Sequence, residues 1–286
     1  MTGPTVREIL GKSQEYLAAR GVDSPRLSAE LLLAEVLGLD RLHLFLNMDR
    51  PLAADELARA REFMARRGRG EPAALILGRK EFWGLEFAVR GDVLVPRPET
   101  ECIVEEAGNR FPGDAALTIV DLGTGSGCLA VTLALHFSAA RVAALDLSPA
   151  ALAVARENVL RHDVAGRVAL VLADAGACPL VGAGADLVVA NPPYISDGEY
   201  AALSNEVRDF EPALALCGGA DGLDQVRAQA PEAARILRPG GMLLMEIGCG
   251  QGAAVRALFE GLDVFDEVAI LRDLAGLDRV LLARRR

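Results

Sequence analysis

Two short stretches carry residue types that could do chemistry together: Asp121-Leu-Gly-Thr-Gly-Ser-Gly127 and Asn191-Pro192-Pro193-Tyr194. In the second, the prolines end a strand ladder and remove two N–H donors. What remains is a rigid turn rich in acceptors, the Asn191 side-chain oxygen and the Pro192 carbonyl, beside the flat ring of Tyr194. That set suits an amide or exocyclic amine nitrogen, a poor nucleophile because its lone pair is delocalised. Two acceptors on its N–H bonds can draw it towards tetrahedral geometry and stabilise the positive charge that develops during attack. A stacked aromatic ring fixes the approach line. Asn191, Pro192 and Tyr194 are therefore the expected catalytic set, with Pro193 added for substrate binding, and no dedicated general base stands out. Asn-Pro is also a good turn former, so taken alone the motif could be only a turn.

The first stretch follows the apolar run Leu117–Asp121 and leads into a helical pattern. Glycines 123, 125 and 127 let backbone turn tightly and approach a ligand without a Cβ in the way. Asp146 ends the next apolar run, where a carboxylate can accept from two ribose hydroxyls. Dinucleotide enzymes share this layout, but the spacing is GxGxG rather than GxGxxG. Asp121, just before the loop, also suits an amino group better than a pyrophosphate. A ligand with a ribose, an amino-acid tail and a sulfonium fits, so S-adenosyl-L-methionine is favoured over NAD, with S-adenosyl-L-homocysteine as product. The expected cofactor set is Asp121, Gly123, Thr124, Gly125, Ser126, Gly127, Asp146, Asp174 and Asn191. Asp121 and Asp146 could instead cap helices or bind backbone amides, and Asp174 could be a turn residue rather than a partner for the adenine amino group.

These residues need a scaffold. Residues 1–75 read as all-helical: Val6, Ile9, Leu10 and Leu17 fall near helical spacing, and Asp23-Ser24-Pro25 supplies a cap and first-turn proline for Leu27–Leu37. Shorter helices fit Leu42–Asn47 and Asp55–Arg67. Over 76–95, KEFWGLEFAV followed by Arg90-Gly91-Asp92 and Val93–Val95 reads as a hairpin with a glycine-containing turn, bridging two domains. Pro96–Glu101 opens a helix with a carboxylate-rich first turn. Beyond residue 115, strands expected at 117–121, 141–146, 167–172, 186–190, 241–247, 264–270 and 279–284 alternate with helices at 127–136, 149–161, 224–237 and 251–260. Such alternation argues for an α/β fold with a mostly parallel, Rossmann-like sheet of seven strands covered on both faces. Its fourth strand should lie beside its first, which puts Asn191–Tyr194 across the switch crevice from the glycine loop.

Composition narrows the function class. At 286 residues the chain can hold one full α/β domain and a smaller one. Residues 1–80 carry 13 basic and 11 acidic side chains, and 81–286 carry 17 and 29. An acidic catalytic part repels a phosphate backbone, so direct nucleic-acid binding is not expected. The run Arg59, Arg61, Arg66, Arg67 and Arg69 reads either as a solvated helix end or as a docking patch for an acidic partner. The five cysteines never form a CxxC pair and the three histidines are scattered, so neither a disulfide framework nor a metal site is expected. The start lacks a signal-peptide layout and no apolar stretch is long enough to span a membrane. A cytoplasmic, monomeric enzyme without membrane association is the expectation.

The sequence resembles the HemK/PrmC family, the protein-(glutamine-N5) methyltransferases of peptide-chain release factors. The likeness runs over nearly the whole chain, through GRKEFWGLEFAV, VLVPRPETE, DLGTGSG, ALDLSPAALAVARENV, NPPYI, FEPALALCGGADGLD, LRPGGMLLMEIGCGQ and DLAGLDRV. NPPY is shared with DNA adenine and other amine methyltransferases, whereas PRPETE with EPALAL…GGADGLD is more specific. The resemblance implies a class I methyltransferase domain over 96–286, a hairpin over 76–95, and a helical domain over 1–75 that contacts the release factor. It also implies methylation of the glutamine in the factor's Gly-Gly-Gln loop, tuning termination. Gly123–Gly127 and Asp146 would hold the cofactor and Asn191–Tyr194 the substrate amide. Arg97, Glu99 and Thr100 would help close the site, though Glu99 also suits a helix N-terminus; Glu246 is open between a structural and a functional role. Two positions depart from the family: Ala175, where some relatives stack an aromatic on adenine, and Leu277, where arginine is usual.

Three other functions share parts of this pattern. A glutamine methyltransferase of a ribosomal protein would use the same site logic with a different helical domain. A DNA adenine methyltransferase would need a basic target-recognition region. A catalytically silent cofactor binder would keep the fold alone.

Overall fold

The computed structural model describes residues 3–286, so the first two residues of the expected helical segment lie outside the described residues. The chain divides into two units: residues up to Arg79 with Ser204–Phe210, and Lys80–Leu203 with Glu211–Arg286.

The first unit is helical, with α1 (Val6–Ala18), α2 (Pro25–Leu37), α3 (Arg41–Leu46), α4 (Ala54–Gly68) and α5 (Ala73–Leu77). Leu10, Leu17, Leu32, Leu33, Leu44 and Met64 close its core. Thr5 and Glu8 form a reciprocal capping box on α1. Ser24 departs from expectation: it sits at φ 48° and makes no side-chain cap, so Pro25 at the first helical position starts α2 instead. The arginine run is largely used internally. Arg66 pairs with Glu71, and Arg59 donates to the Val36 carbonyl. Arg67 is buried and donates to Ser28 Oγ, the Glu71 carbonyl and Glu206. Glu206 belongs to Ser204–Phe210, which the sequence reading leaves within the catalytic part; there it lies in a short helix over Asn205–Arg208.

The second unit opens with β1 (Arg79–Phe82), whose first residue belongs to the helical unit, and β2 (Leu85–Ala88). The hairpin turn is Trp83-Gly84, both at positive φ, the geometry whose twist suits a two-residue hairpin. The expected second arm, Val93–Val95, forms no strand. Phe82 and Phe87 enter the core of this unit, so the hairpin is part of the catalytic unit's packing rather than a free link.

After a short 3-10 turn at Pro98–Thr100 come α6 (Glu101–Arg110), β3 (Thr118–Leu122), α7 (Cys128–His136), β4 (Arg141–Asp146), α8 (Pro149–Arg161), β5 (Val168–Leu172) and β6 (Ala185–Ala190). The small helices α9 (Asp197–Ala202) and α10 (Asn205–Arg208) precede α11 (Asp224–Ile236), β7 (Leu237–Glu246), α12 (Gly252–Glu260), β8 (Phe265–Arg272) and β9 (Asp278–Arg285). The seven strands run β5-β4-β3-β6-β7-β9-β8, with β9 antiparallel to both neighbours. Alternate side chains feed two cores. Ile119, Leu187, Val189 and Leu244 face α6 and α7, while Val120, Val188, Leu243 and Met245 face α11 and α12. This is the class I methyltransferase architecture.

Register then decides what meets at the carboxyl edge. Leu122 pairs with Leu145 on one side and Ala190 on the other, and Ala190 pairs with Met245. The next residues are Gly123, Asp146, Asn191 and Glu246. They stand side by side at strand spacing, roughly 5 Å per step.

Candidate functional site

An open cleft lies along that edge, lined among others by Arg97, Thr100, Gly123, Asp146, Asn191 and Gln229. Counting its mouth it holds about 1180 Å³, room for a nucleoside-sized ligand.

The glycine loop forms one wall. Gly123 and Gly125 sit at φ 78° and 57° with open space where a Cβ would be, so their backbone faces the cleft bare. Gly127 answers a different need: a Cβ there would meet the Ala155 Cβ at 3.2 Å, because α8 packs close behind the loop. Asn158 on α8 fastens the loop from behind. Fully buried, it donates to the Ser126 and Ala88 carbonyls and accepts from Ala88 N–H.

The predicted cofactor residues fall into different positions. Asp146 lines the cleft and accepts from Gly125 N–H at 2.8 Å and Ser148 N–H at 2.9 Å. Each oxygen keeps a second lone pair for a ligand hydroxyl. Asp174 also lines the cleft, while its Oδ1 caps the turn at Gly176. Thr124 and Ser126 line the cleft but are largely buried. Asp121 does not line it. Its carboxylate lies beneath the loop, where Oδ2 accepts from the Thr124 hydroxyl at 2.6 Å and Oδ1 is buried with no partner. Burial pushes this carboxyl up to about 7.

Of the Asn191–Tyr194 turn, the first three residues line the cleft and Tyr194 does not. Instead of offering a free flat face, the Tyr194 phenol lies against Glu246 and near Arg279, and burial raises its pKa. The turn is held from below by Gln251, which donates to the Tyr194 carbonyl at 2.9 Å and the Gly222 carbonyl at 3.2 Å. Gly222, at φ 76°, must be glycine, since a Cβ would come within 2.3 Å of the Tyr194 oxygen. Arg97 reaches the cleft and pairs with the buried Glu211, which also takes Val95 N–H. Glu99 is exposed and does not line the cleft, as suits a carboxylate ahead of a helix.

Two further groups matter here: Thr100, expected to help close the site, and Gln229, which went unread in the sequence. Thr100 is buried, donates to Glu246 Oε2 at 2.6 Å and accepts from Asn191 Nδ2 at 3.0 Å. Gln229 on α11 is buried, lines the cleft and has an unpartnered Oε1. The only sequence signal for Gln229 was its position shortly after the GGADGLD run; for Thr100 the resemblance gave a place in the site but not its link to Glu246 and Asn191.

A family described as PrmC N-terminal domain matches residues 8–78, and one described as methyltransferase domain matches 119–210. The chain is 46% identical over 282 residues to a release factor glutamine methyltransferase of Nitratidesulfovibrio vulgaris, covering 98% of this chain and 95% of that protein. The chain belongs to the release factor glutamine methyltransferase family. A second member, from Geobacter sulfurreducens, is 45% identical over 277 residues, covering 97% and 95%. A solved methyltransferase from Pyrococcus furiosus superposes with a TM-score of 0.54 at 19% identity, over 78% of this chain and 98% of that one. That likeness supports the fold. Among the described residues, no helix of this family member is long and apolar enough to cross a membrane.

Proposed function

We propose that this chain transfers the methyl group of S-adenosyl-L-methionine to the side-chain amide nitrogen of the glutamine in the Gly-Gly-Gln motif of peptide-chain release factors, modulating translation termination. The observation that carries this reading is the strand register, which sets the Asn191 turn one strand away from the bare glycine loop at the same sheet edge.

The residues present fit the cofactor. The loop offers Gly123 and Gly125 without a Cβ barrier, Asp146 retains acceptor capacity for ribose hydroxyls, and Asp174 and Gln229 lie along the same cleft for the adenine. Gln229 fits a purine carrying an amino group, because a carboxamide matches adenine's adjacent donor and acceptor. It thereby supplies a grip that Ala175 cannot. Asp121 serves by holding Thr124 and the loop, and by placing an unpaired acceptor beneath them. When bound, the cofactor supplies an electrophilic methyl group on a sulfonium.

The chain's own part is orientation. Asn191 Oδ1 and the Pro192 carbonyl accept the two N–H bonds of the substrate amide and point its nitrogen along the cleft. Arg97, fixed by Glu211, borders the entrance of the same site. Tyr194, braced against Glu246, stiffens the turn. We assign docking of the release factor body to the helical unit. The family match over 8–78 supports that assignment, and the acidic balance of 81–286 favours a protein over a nucleic-acid substrate.

The test is to incubate the protein with a bacterial release factor and methyl donor, then map the modification by mass spectrometry. One added methyl on the Gly-Gly-Gln glutamine is expected. A methyl elsewhere, on a ribosomal protein, or on DNA would refute the substrate assignment.

A further inference from the structure

Resting on that reading and deepening it, we propose that Glu246, acting through Thr100, is a positioning residue that sets which end of the Asn191 amide faces the cleft. The three side chains form a single file: Glu246 Oε2, Thr100 Oγ1 at 2.6 Å, and the Asn191 amide at 3.0 Å from that hydroxyl. Their sequence separations of 146 and 91 residues show that the fold, not local chain geometry, assembles them.

A hydroxyl has one proton to give. An ionised carboxylate can only accept, so Thr100 must spend its proton on Glu246 and take its second bond as an acceptor. The only partner that fits is the Asn191 NH2 group. Its carbonyl oxygen is thereby turned away from Thr100, and the oxygen is what a substrate NH2 group requires. This direction follows from the chemistry of the file and does not depend on which amide atom carries which label.

Protonating Glu246 reverses the logic. The acid then donates to Thr100, whose freed proton can go to Asn191 Oδ1, and the flipped amide presents donors to a donor.

The surroundings place this switch within reach of ordinary pH. Glu246 is fully buried at the end of β7. Facing it are Thr100, with Glu99 and Cys102 on the same stretch, Tyr194 from the turn, Cys128 at the start of α7 and Arg279 from β9. Arg279 is shared with Asp273 at 3.1 Å. Burial outweighs the help from Thr100 and Arg279 and holds the Glu246 carboxyl up to about 7. Its Oε1 has no well-formed partner, although the Tyr194 phenol lies close.

The test uses the full chain, S-adenosyl-L-methionine and a release factor. Thr100→Val keeps the shape and loses the hydroxyl; kcat should fall about tenfold or more while the Kd for S-adenosyl-L-methionine stays within about twofold. Thr100→Ser should recover most of the lost turnover, which a mere packing role would not require. Wild-type kcat should fall as pH drops through about 7, and in Glu246→Gln, whose side chain does not titrate, that acid limb should vanish. Should Glu246→Gln fail to fold, the Val-to-Ser ratio decides alone. Wild-type turnover in Thr100→Val, or an unchanged acid limb in a folded Glu246→Gln, overturns the proposal. Loss of cofactor binding or of glutamine methylation in the wild type would instead overturn the underlying function, so the two failures are distinct.

Discussion

The buried polar groups of the helical unit and those around the cleft of the catalytic unit differ in how fully they are paired. In the first, Glu30 is 1% exposed yet both oxygens are taken, by Arg26 and Arg41, and buried Arg67 spends its donors on three partners. In the second, Asp121 and Gln229 each bury an unpartnered oxygen in or just behind the cleft, Glu246 buries one that only the nearby Tyr194 phenol approaches, and Thr132 Oγ1 on α7 is unmet away from the cleft. Arg50 Nη1 is a helical-unit exception, but its other nitrogen is bound to Glu56. Unmet buried polar atoms cost about 1–3 kcal/mol each. Satisfied ones hold a surface in shape, whereas unmet ones beside a cavity mark where a ligand completes the set.

This contrast can be broken by substitution. The largest effect is expected for Asn191→Ala, with turnover lowered about 100-fold or more through loss of a preoriented acceptor and cofactor Kd nearly unchanged. Parallel kinetics and titration calorimetry check it, and near-normal turnover would remove the role given to the turn. In the helical unit the matching experiment is Arg67→Met, which strands Glu206 and Ser28. Stability should fall by about 2 kcal/mol, discounted from a fully buried pair because Glu206 is partly exposed. The denaturation midpoint of the variant measures this directly.

Asp121→Asn probes the other side of the contrast. Its carboxyl, about 7 when folded against 3.8 ordinarily, binds its proton more tightly in the native state. Its contribution is therefore full below the ordinary value and is lost as pH rises through about 7. The wild type should lose stability across that window relative to Asp121→Asn, leaving the variant ahead at pH ~8 by about 1–2 kcal/mol and level with it at pH ~4. Thermal unfolding at the two pH values tests the sign. The smallest effect is expected for Gln229→Met. It should weaken S-adenosyl-L-homocysteine binding by about tenfold while hardly affecting the deaminated S-inosyl analogue, consistent with one lost base contact.

Much of the scaffold could be read from the chain because it rests on local periodicity. The expected strand 141–146 and helix 149–161 match the observed bounds, and the fourth strand of the sheet, β6, lies beside its first, β3, as expected. The hairpin was misplaced for a local reason: Trp83 carries positive φ, which a bulky aromatic rarely adopts, so Trp-Gly did not announce a turn as Asn-Gly would. In the site, the glycine loop and Asn191 were legible from residue type and order. Arg67–Glu206, Asn158 with the loop, and the Glu246–Thr100–Asn191 file join residues tens to more than a hundred positions apart, with no periodic signal to link them. Tyr194 was read from ring chemistry alone, and the buried carboxylate beneath it turned the phenol inward.

The most direct test is a crystal structure with S-adenosyl-L-homocysteine and a Gly-Gly-Gln peptide. The ligand's amino-acid tail is expected at the glycine loop, with the peptide glutamine amide hydrogen-bonded to Asn191 Oδ1 and the Pro192 carbonyl. A glutamine seated away from that corner, with the Asn191 oxygen engaged by the protein itself, would contradict the role given to the turn.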